Sequence, residues 1–100
     1  MASNYLGITK IHNREMMGVG GVWVTGKRDG MKWEALVFAD QPTNKKFAIG
    51  KSRISKLWIA DADGNWLYNF DRGVDVRAKT SAAASLQSVI THNLARIIHG

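Results

Sequence analysis

The sequence contains no cysteine. Disulfides, thiolate metal sites and cysteine nucleophiles are therefore excluded, and the fold depends on packing alone. Apolar residues make up 45% of the 100-residue chain, which suffices for one hydrophobic core but not for two separate domains. We expect one domain in a cytoplasmic setting.

Proline and long apolar runs are also scarce. Pro42 is the only proline, and no repeat or low-complexity stretch marks an internal linker. No stretch approaches eighteen apolar residues, so we expect no membrane span and no membrane partner. The segment from Met1 to Ile11 contains Asn4, Thr9 and Lys10 and lacks the continuous apolar run of a signal peptide.

Acidic residues are outnumbered, with eight Asp and Glu against fourteen Lys and Arg, which gives a formal net charge of +6. A basic domain attracts anions, and nucleic acid is the commonest large intracellular anion. Solubility is the alternative reason for such a charge, and composition leaves both open. The sign of the charge does exclude an acidic mimic of DNA.

Residues 1–17 show neither a helical nor an alternating pattern. We expect a partly ordered lead-in there, either mobile or held as an edge segment, followed by a single sheet-plus-helix domain over residues 18–100.

The first predicted hairpin lies in residues 22–38. Val22 to Thr25 is a β-branched and aromatic run, and Gly26 to Gly30 is a turn that leads into the alternating segment Met31 to Phe38. Pairing across this turn predicts one face made of Val22, Val24, Trp33, Ala35 and Val37. The opposite face is predicted to carry Trp23, Thr25, Lys32 and Glu34.

The second predicted hairpin joins Ile54 to Ala60 and Asn65 to Asp71 through a turn at Asp61 to Gly64. Pairing predicts one face made of Leu57, Ile59, Trp66, Tyr68 and Phe70, with Lys56, Trp58, Leu67 and Asn69 on the other. Between the hairpins, the short apolar run Phe47 to Ile49 is a candidate additional strand.

The last segment has the pattern of a helix. Thr80 or Ser81 is a suitable N-cap, and Ala82 to Ala84 are strong helix formers. Apolar residues then recur at helical spacing at Leu86, Val89, Ile90, Leu94, Ile97 and Ile98. The predicted fold class is α+β, with a four-stranded antiparallel sheet of two hairpins and one C-terminal amphipathic helix packed on one face.

Catalytic and metal-binding patterns are missing from the sequence. Asp61, Asp63 and Asn65 resemble the start of a calcium loop, but Trp66 and Arg72 stand where that loop needs glycine and glutamate. The three histidines are scattered and show no metal-ligand spacing. We therefore expect no enzymatic activity, no metal site and no cofactor.

The segment from Gln41 to Ala60 contains no acidic residue and is the most basic part of the chain. Its cations are Lys45, Lys46, Lys51, Arg53 and Lys56. Because each cation near a phosphate releases condensed counterions, five of them could supply most of a non-specific nucleic-acid affinity. A solvated loop is the alternative interpretation.

Two tryptophans share the outward face with cations in the predicted pairing, Trp58 with Lys56 and Trp23 with Lys32. Aromatics interleaved with cations on an open sheet can stack unpaired bases. The same tryptophans could instead anchor a protein interface. A sheet covered on one side leaves its other face and its edges bare, so a homodimer is also expected.

The string Arg53 to Ile59, followed by Tyr68 to Asp75, resembles a small uncharacterised family carried by phages and other mobile elements. The resemblance covers Gly20 to Ile90, and its most specific part is the aromatic-Asp-Arg-Gly segment that ends at Gly73. It implies a phage or plasmid accessory protein and no catalytic residues. The order of strands followed by a helix is also similar to the transcriptional-coactivator and Whirly class of single-strand DNA binders, in topology alone.

Two hypotheses therefore stand. One is a nucleic-acid-binding accessory protein, specific for single strands. The other is a protein-binding inhibitor or modulator of a host defence or replication complex. Both use the same candidate residues.

Overall fold

The computed structural model describes residues 6–12, 21–39, 52–71 and 74–99. Six strands form one antiparallel sheet in which each strand pairs with its neighbour in the chain, and a single helix follows. The elements are β1 (Ile8–Ile11), β2 (Val22–Arg28), β3 (Met31–Val37), β4 (Ile54–Ala60), β5 (Trp66–Asp71), β6 (Val74–Val76) and α1 (Ser81–His99).

The predicted α+β class, with an antiparallel sheet and one C-terminal helix, is confirmed. The predicted count of four strands is wrong. Strand β1 extends the sheet at one edge, which gives five strands of at least four residues, and the three-residue β6 adds a short pairing beyond β5. The candidate strand at Phe47 to Ile49 lies outside the described residues.

The hairpin of β2 and β3 turns through only two residues. Asp29 and Gly30 both have positive φ, 53° and 77°, as the tight turn that matches strand twist requires. The predicted five-residue turn is therefore too long, because β2 continues through Gly26 to Arg28. The predicted faces of the two strands are confirmed, in a register that places Val22 opposite Val37.

The hairpin of β4 and β5 closes around Asp61. One carboxylate oxygen, Oδ1, accepts hydrogen bonds from the backbone N–H groups of Asp63 and Asn65, both at 2.9 Å. Gly64 follows with a φ of 88°, which glycine adopts without strain. The sheet register shifts between Ile59 and Ala60, where this turn joins the strands.

The segment before β1 is fixed by the core. Leu6 is fully buried, and its carbonyl accepts a hydrogen bond from the Trp33 indole Nε1 at 2.9 Å. Gly7 follows with a φ of 73°, and a Cβ there would lie 1.8 Å from the carbonyl oxygen of Lys27. The backbone of Gly7 therefore lies directly against β2, and its carbonyl accepts from the Lys27 N–H at 2.9 Å.

Helix α1 covers one face of the sheet, against β3, β4 and β5. Thr80 is its N-cap, since the hydroxyl accepts from the N–H of Ala83 at 3.0 Å. The buried helix residues are Ala83, Leu86, Ile90, Leu94, Ala95 and Ile98. They pack on the inward side chains of the two hairpins and form one continuous core. No helix in the described ranges is both long and apolar enough to cross a membrane.

Candidate functional site

The face of the sheet opposite α1, here called the open face, carries four of the five described candidate side chains. Directly paired residues of neighbouring strands share a face, so the register groups them into rows that run across the strands. Three rows result, and each contains one tryptophan. We name the rows after Trp23, Trp58 and Trp66.

The Trp23 row runs from β2 to β5 as Trp23, Leu36, Lys56 and Asp71. Trp23, Leu36 and Lys56 are half-buried. The Lys56 ammonium lies 3.8 Å from a carboxylate oxygen of Asp71, and both side chains are substantially exposed. An exposed pair of this kind is weak and easily exchanged for another anion.

The Trp58 row is Thr25, Glu34, Trp58 and Asn69, with Lys10 of β1 opposite Thr25 at the sheet edge. The indole Nε1 of Trp58 donates to Oε1 of Glu34 at 3.2 Å. This bond holds the Trp58 ring on the open face and places a carboxylate at the centre of that face.

The Trp66 row is Lys27, Lys32, Ala60 and Trp66. The prediction that Trp66 lies on the covered face is wrong, because the register shift at Ala60 pairs Trp66 with Ala60, which pairs on its other side with Lys32. Trp66 is 48% exposed, more than any other large hydrophobic residue in the described ranges. Leu67, predicted on the open face, packs against the core instead.

The predicted basic stretch lies only partly within the described residues. Lys45, Lys46 and Lys51 lie outside the described residues. Arg53 has a positive φ of 65°, and its guanidinium donates to the carbonyl of Ala39 at 2.7 Å, so it helps to hold the chain beside β4. Lys56 lies on the open face as predicted, in the Trp23 row.

The structure brings Trp23, Lys32, Lys56 and Trp58 together on one face, as the alternation predicts. Sequence reasoning missed Lys27 and the outward position of Trp66. Lys27 was detectable, because it continues the alternation of Trp23 and Thr25 once β2 is extended through the predicted turn. The position of Trp66 depends on a bulge that alternation does not show.

Formal charge is unevenly distributed over the three rows. Lys56 and Asp71 cancel in the Trp23 row, and Lys10 and Glu34 cancel in the Trp58 row. The Trp66 row holds Lys27 and Lys32 and no acidic residue. The positive row is therefore the one nearest the two hairpin turns, although the turns themselves carry the carboxylates of Asp29, Asp61 and Asp63.

Two titratable groups with displaced pKa values lie away from the three rows. The backbone hydrogen bond from Asn65, with those from Asp63 and Gly64 and the Asn65 side chain, lowers the pKa of Asp61 below its ordinary 3.8. Burial raises the pKa of Tyr68 above its ordinary 10.0. Tyr68 belongs to the core and Asp61 to a turn, so both shifts reflect the fold.

Neither a curated protein nor a solved structure matches the chain. A family model described as "Domain of unknown function (DUF7678)" matches residues 22–95. The match begins at the first residue of β2 and ends within α1, so it includes all three tryptophans of the open face. The chain therefore belongs to the DUF7678 family, a domain of unknown function.

Proposed function

We propose that this chain is a non-enzymatic accessory protein that binds nucleic acid, single strands in preference to duplex, on the open face of its sheet. One observation carries the proposal. Trp23 on β2, Trp58 on β4 and Trp66 on β5 lie on a diagonal across the face opposite the helix, interleaved with lysines.

The diagonal suits unpaired bases. Trp58 and Trp66 are one strand and one row apart, which places their Cα atoms about 8 Å apart from standard strand dimensions. Trp23 and Trp58 are two strands and one row apart, or about 12 Å. Every base has a π-face that can stack on an indole, whereas a duplex hides those faces between its own base pairs.

Lysines flank the diagonal and are the groups that would neutralise phosphate. Lys32 lies beside Ala60, between the two hairpin turns, and Lys56 lies between Leu36 and Asp71. Asp71 is exposed and its ion pair with Lys56 is long, so a phosphate can replace it at low cost. The predicted cations Lys45, Lys46 and Lys51 would add to this surface.

The test is a fluorescence-anisotropy titration of a labelled single-stranded oligothymidylate with the full chain at two salt concentrations. We expect affinity that falls steeply with salt, since each phosphate contact contributes about 0.7 to the log–log slope. A duplex of the same length should bind more weakly. Binding that is weak and independent of salt would contradict the proposal.

A second function, binding of a host protein complex in defence or replication, is favoured by the apolar character of the Trp23 row. Leu36 lies between Trp23 and Lys56, and Phe38, which follows β3, is 36% exposed. Aromatic anchors beside aliphatic side chains are typical of interface hot spots. A phage or mobile-element setting, which the sequence resemblance suggests, would suit either function.

Nuclease treatment separates the two functions. Partners that the tagged chain retains from a host lysate after nuclease digestion would favour protein binding, and partners lost on digestion would favour nucleic acid. A second copy of the chain on the same face would appear as a dimer in sedimentation, and Trp23→Ala should then dissociate it.

A further inference from the structure

The Trp66 row differs from the other two rows in exposure as well as in charge. Lys27 and Lys32 are both exposed, and Trp66 is 48% exposed. Ala60 stands between Lys32 and Trp66 and is 4% exposed, yet it does not belong to the core cluster. Its low exposure means that neighbouring atoms already cover the position between the cation and the indole.

Lys27 and Lys32 stand directly opposite each other on neighbouring strands. Like charges in this position destabilise a sheet. Among the described residues, neither lysine takes part in an ion pair: Asp29 pairs with Arg28, and Asp71 with Lys56. The carboxylate of Asp61 accepts hydrogen bonds within its own turn. Two adjacent ammonium groups without a counterion are suited to one phosphate.

A shallow groove of about 360 Å³ lies beside the lysine pair. It follows the β2–β3 turn and reaches Ala62 in the β4–β5 turn. The groove thus connects the two hairpin turns at the end of the sheet where Trp66 begins β5. A ligand on the lysines therefore has space along the two hairpin turns, where Asp29 also lines the groove.

We propose that the Trp66 row is a nucleotide subsite, in which Lys27 and Lys32 bind a backbone phosphate and Trp66 stacks the adjoining base. This inference rests on the proposed function and makes it more specific. It places the anchoring contacts at the hairpin turns, so that the nucleic acid enters there and crosses the strands toward Trp58. Lys45, Lys46 and Lys51, which precede β4 in the sequence, would then contribute separately to the affinity.

Substitution of the two lysines tests the phosphate contact. Because both lysines contact one phosphate, K27Q and K32Q should each lower the log–log salt slope for an oligothymidylate probe, and the full-length double variant should lower it by about 0.7. Over the decade from 1 M to 0.1 M salt, that is about a five-fold loss of affinity at 0.1 M for the double variant. The matched control is R96Q, which removes one exposed cation from α1 in the opposite layer and should cost less than about two-fold.

Substitution of Trp66 tests the base contact. W66A should weaken binding of oligothymidylate roughly 5-fold to 150-fold, as expected for loss of one stacked base. It should leave the affinity for an abasic oligonucleotide of the same length unchanged. W66F should retain most of the affinity. Because the substituted side chains are all exposed in the folded protein, these variants should fold, which circular dichroism and a thermal melt would verify.

The outcomes distinguish this inference from the proposed function. If the wild-type protein binds oligothymidylate with a steep salt slope, but K27Q and K32Q match R96Q, the subsite is wrong and the proposed function stands. Equal losses for W66A on normal and abasic oligonucleotides would likewise overturn the stacking role. If the wild-type protein binds neither probe, both proposals fail.

Discussion

Trp58 donates its indole N–H to the carboxylate of Glu34, its direct neighbour across β3 and β4, at 3.2 Å. The bond joins the central aromatic side chain of the open face to the only acidic group of its row. Glu34 thus orients the indole and at the same time repels an approaching phosphate. These two effects can be separated by substitution.

Glu34→Gln should strengthen binding of single-stranded nucleic acid about two-fold to five-fold at low salt. The amide keeps an acceptor for the Trp58 N–H, while the negative charge, which costs about 0.5 kcal/mol at 8 Å in water, is removed. Anisotropy titration with oligothymidylate measures the change. The gain should shrink at high salt. Unchanged affinity in a variant that binds with the wild-type salt slope would show that the nucleic acid passes elsewhere.

Gly26→Ala should destabilise the fold by about 1–3 kcal/mol, as overpacking of a well-filled core does. Gly26 is the cross-strand partner of Trp33, and a Cβ there would lie 2.4–2.5 Å from atoms of the indole ring. Displacing that ring would also weaken its hydrogen bond to the carbonyl of Leu6. Urea unfolding, followed by the fluorescence change of the buried indole, measures the loss.

Gly21→Ala is the matched control for this substitution. A Cβ at Gly21 would meet only side-chain atoms, those of Phe38 at 2.9 Å and Leu36 at 3.0 Å, and Phe38 is exposed and able to move. Its cost should be well below that of Gly26→Ala. Equal losses of stability in the two variants would mean that the position of Trp33 does not require a glycine at position 26.

The charged carboxylate of Asp61 should stabilise the folded state, so stability should fall when acid protonates it. Its pKa is lowered below the ordinary 3.8 by the hydrogen bonds of the turn, so its contribution is fully present above that value. The contribution is lost as the pH falls through the lowered pKa of the folded state, below about pH 4. In urea unfolding at a series of pH values, the stability difference between wild type and Asp61→Asn should shrink through this range.

Asn65→Ala provides an intermediate case for the same turn. It removes the side-chain donor to Oδ2 of Asp61 at 3.2 Å but keeps the backbone donors. The fall in stability below about pH 4 should therefore be smaller in this variant than in the wild type, but it should still be measurable. A stability difference between wild type and Asp61→Asn that stays constant from pH 6 to pH 2 would show that the turn does not favour the charged carboxylate.

Much of the fold could be predicted because local signals agree with tertiary contacts. Alternation fixed which residues of β2 and β3 face the core, and Thr80 with the periodic Leu86 to Ile98 marked the helix. Strand β1 was expected only as one of two alternatives, an edge segment in the lead-in, and its bounds and pairing could not be predicted. It has only four residues, and it is placed by distant contacts of the preceding segment, chiefly Leu6 with Trp33.

The candidate site was predictable to the extent that it follows strand alternation. Trp23, Lys32 and Trp58 lie on the open face as expected. Trp66 does not follow the alternation, because the register shift beside the Asp61 turn changes its partner. Such a bulge arises from how a particular turn joins two strands, and the hydrophobic pattern of β5 carries no sign of it.

The central claim, that the open face binds single-stranded nucleic acid, is tested most directly by the four tryptophan indole N–H signals in a two-dimensional nitrogen–proton NMR spectrum. On titration with oligothymidylate, we expect the signals of Trp23, Trp58 and Trp66 to shift. The signal of Trp33, buried and bonded to Leu6, should stay in place as the internal control. If all four signals remain unmoved at saturating oligonucleotide, the open face is not a nucleic-acid surface.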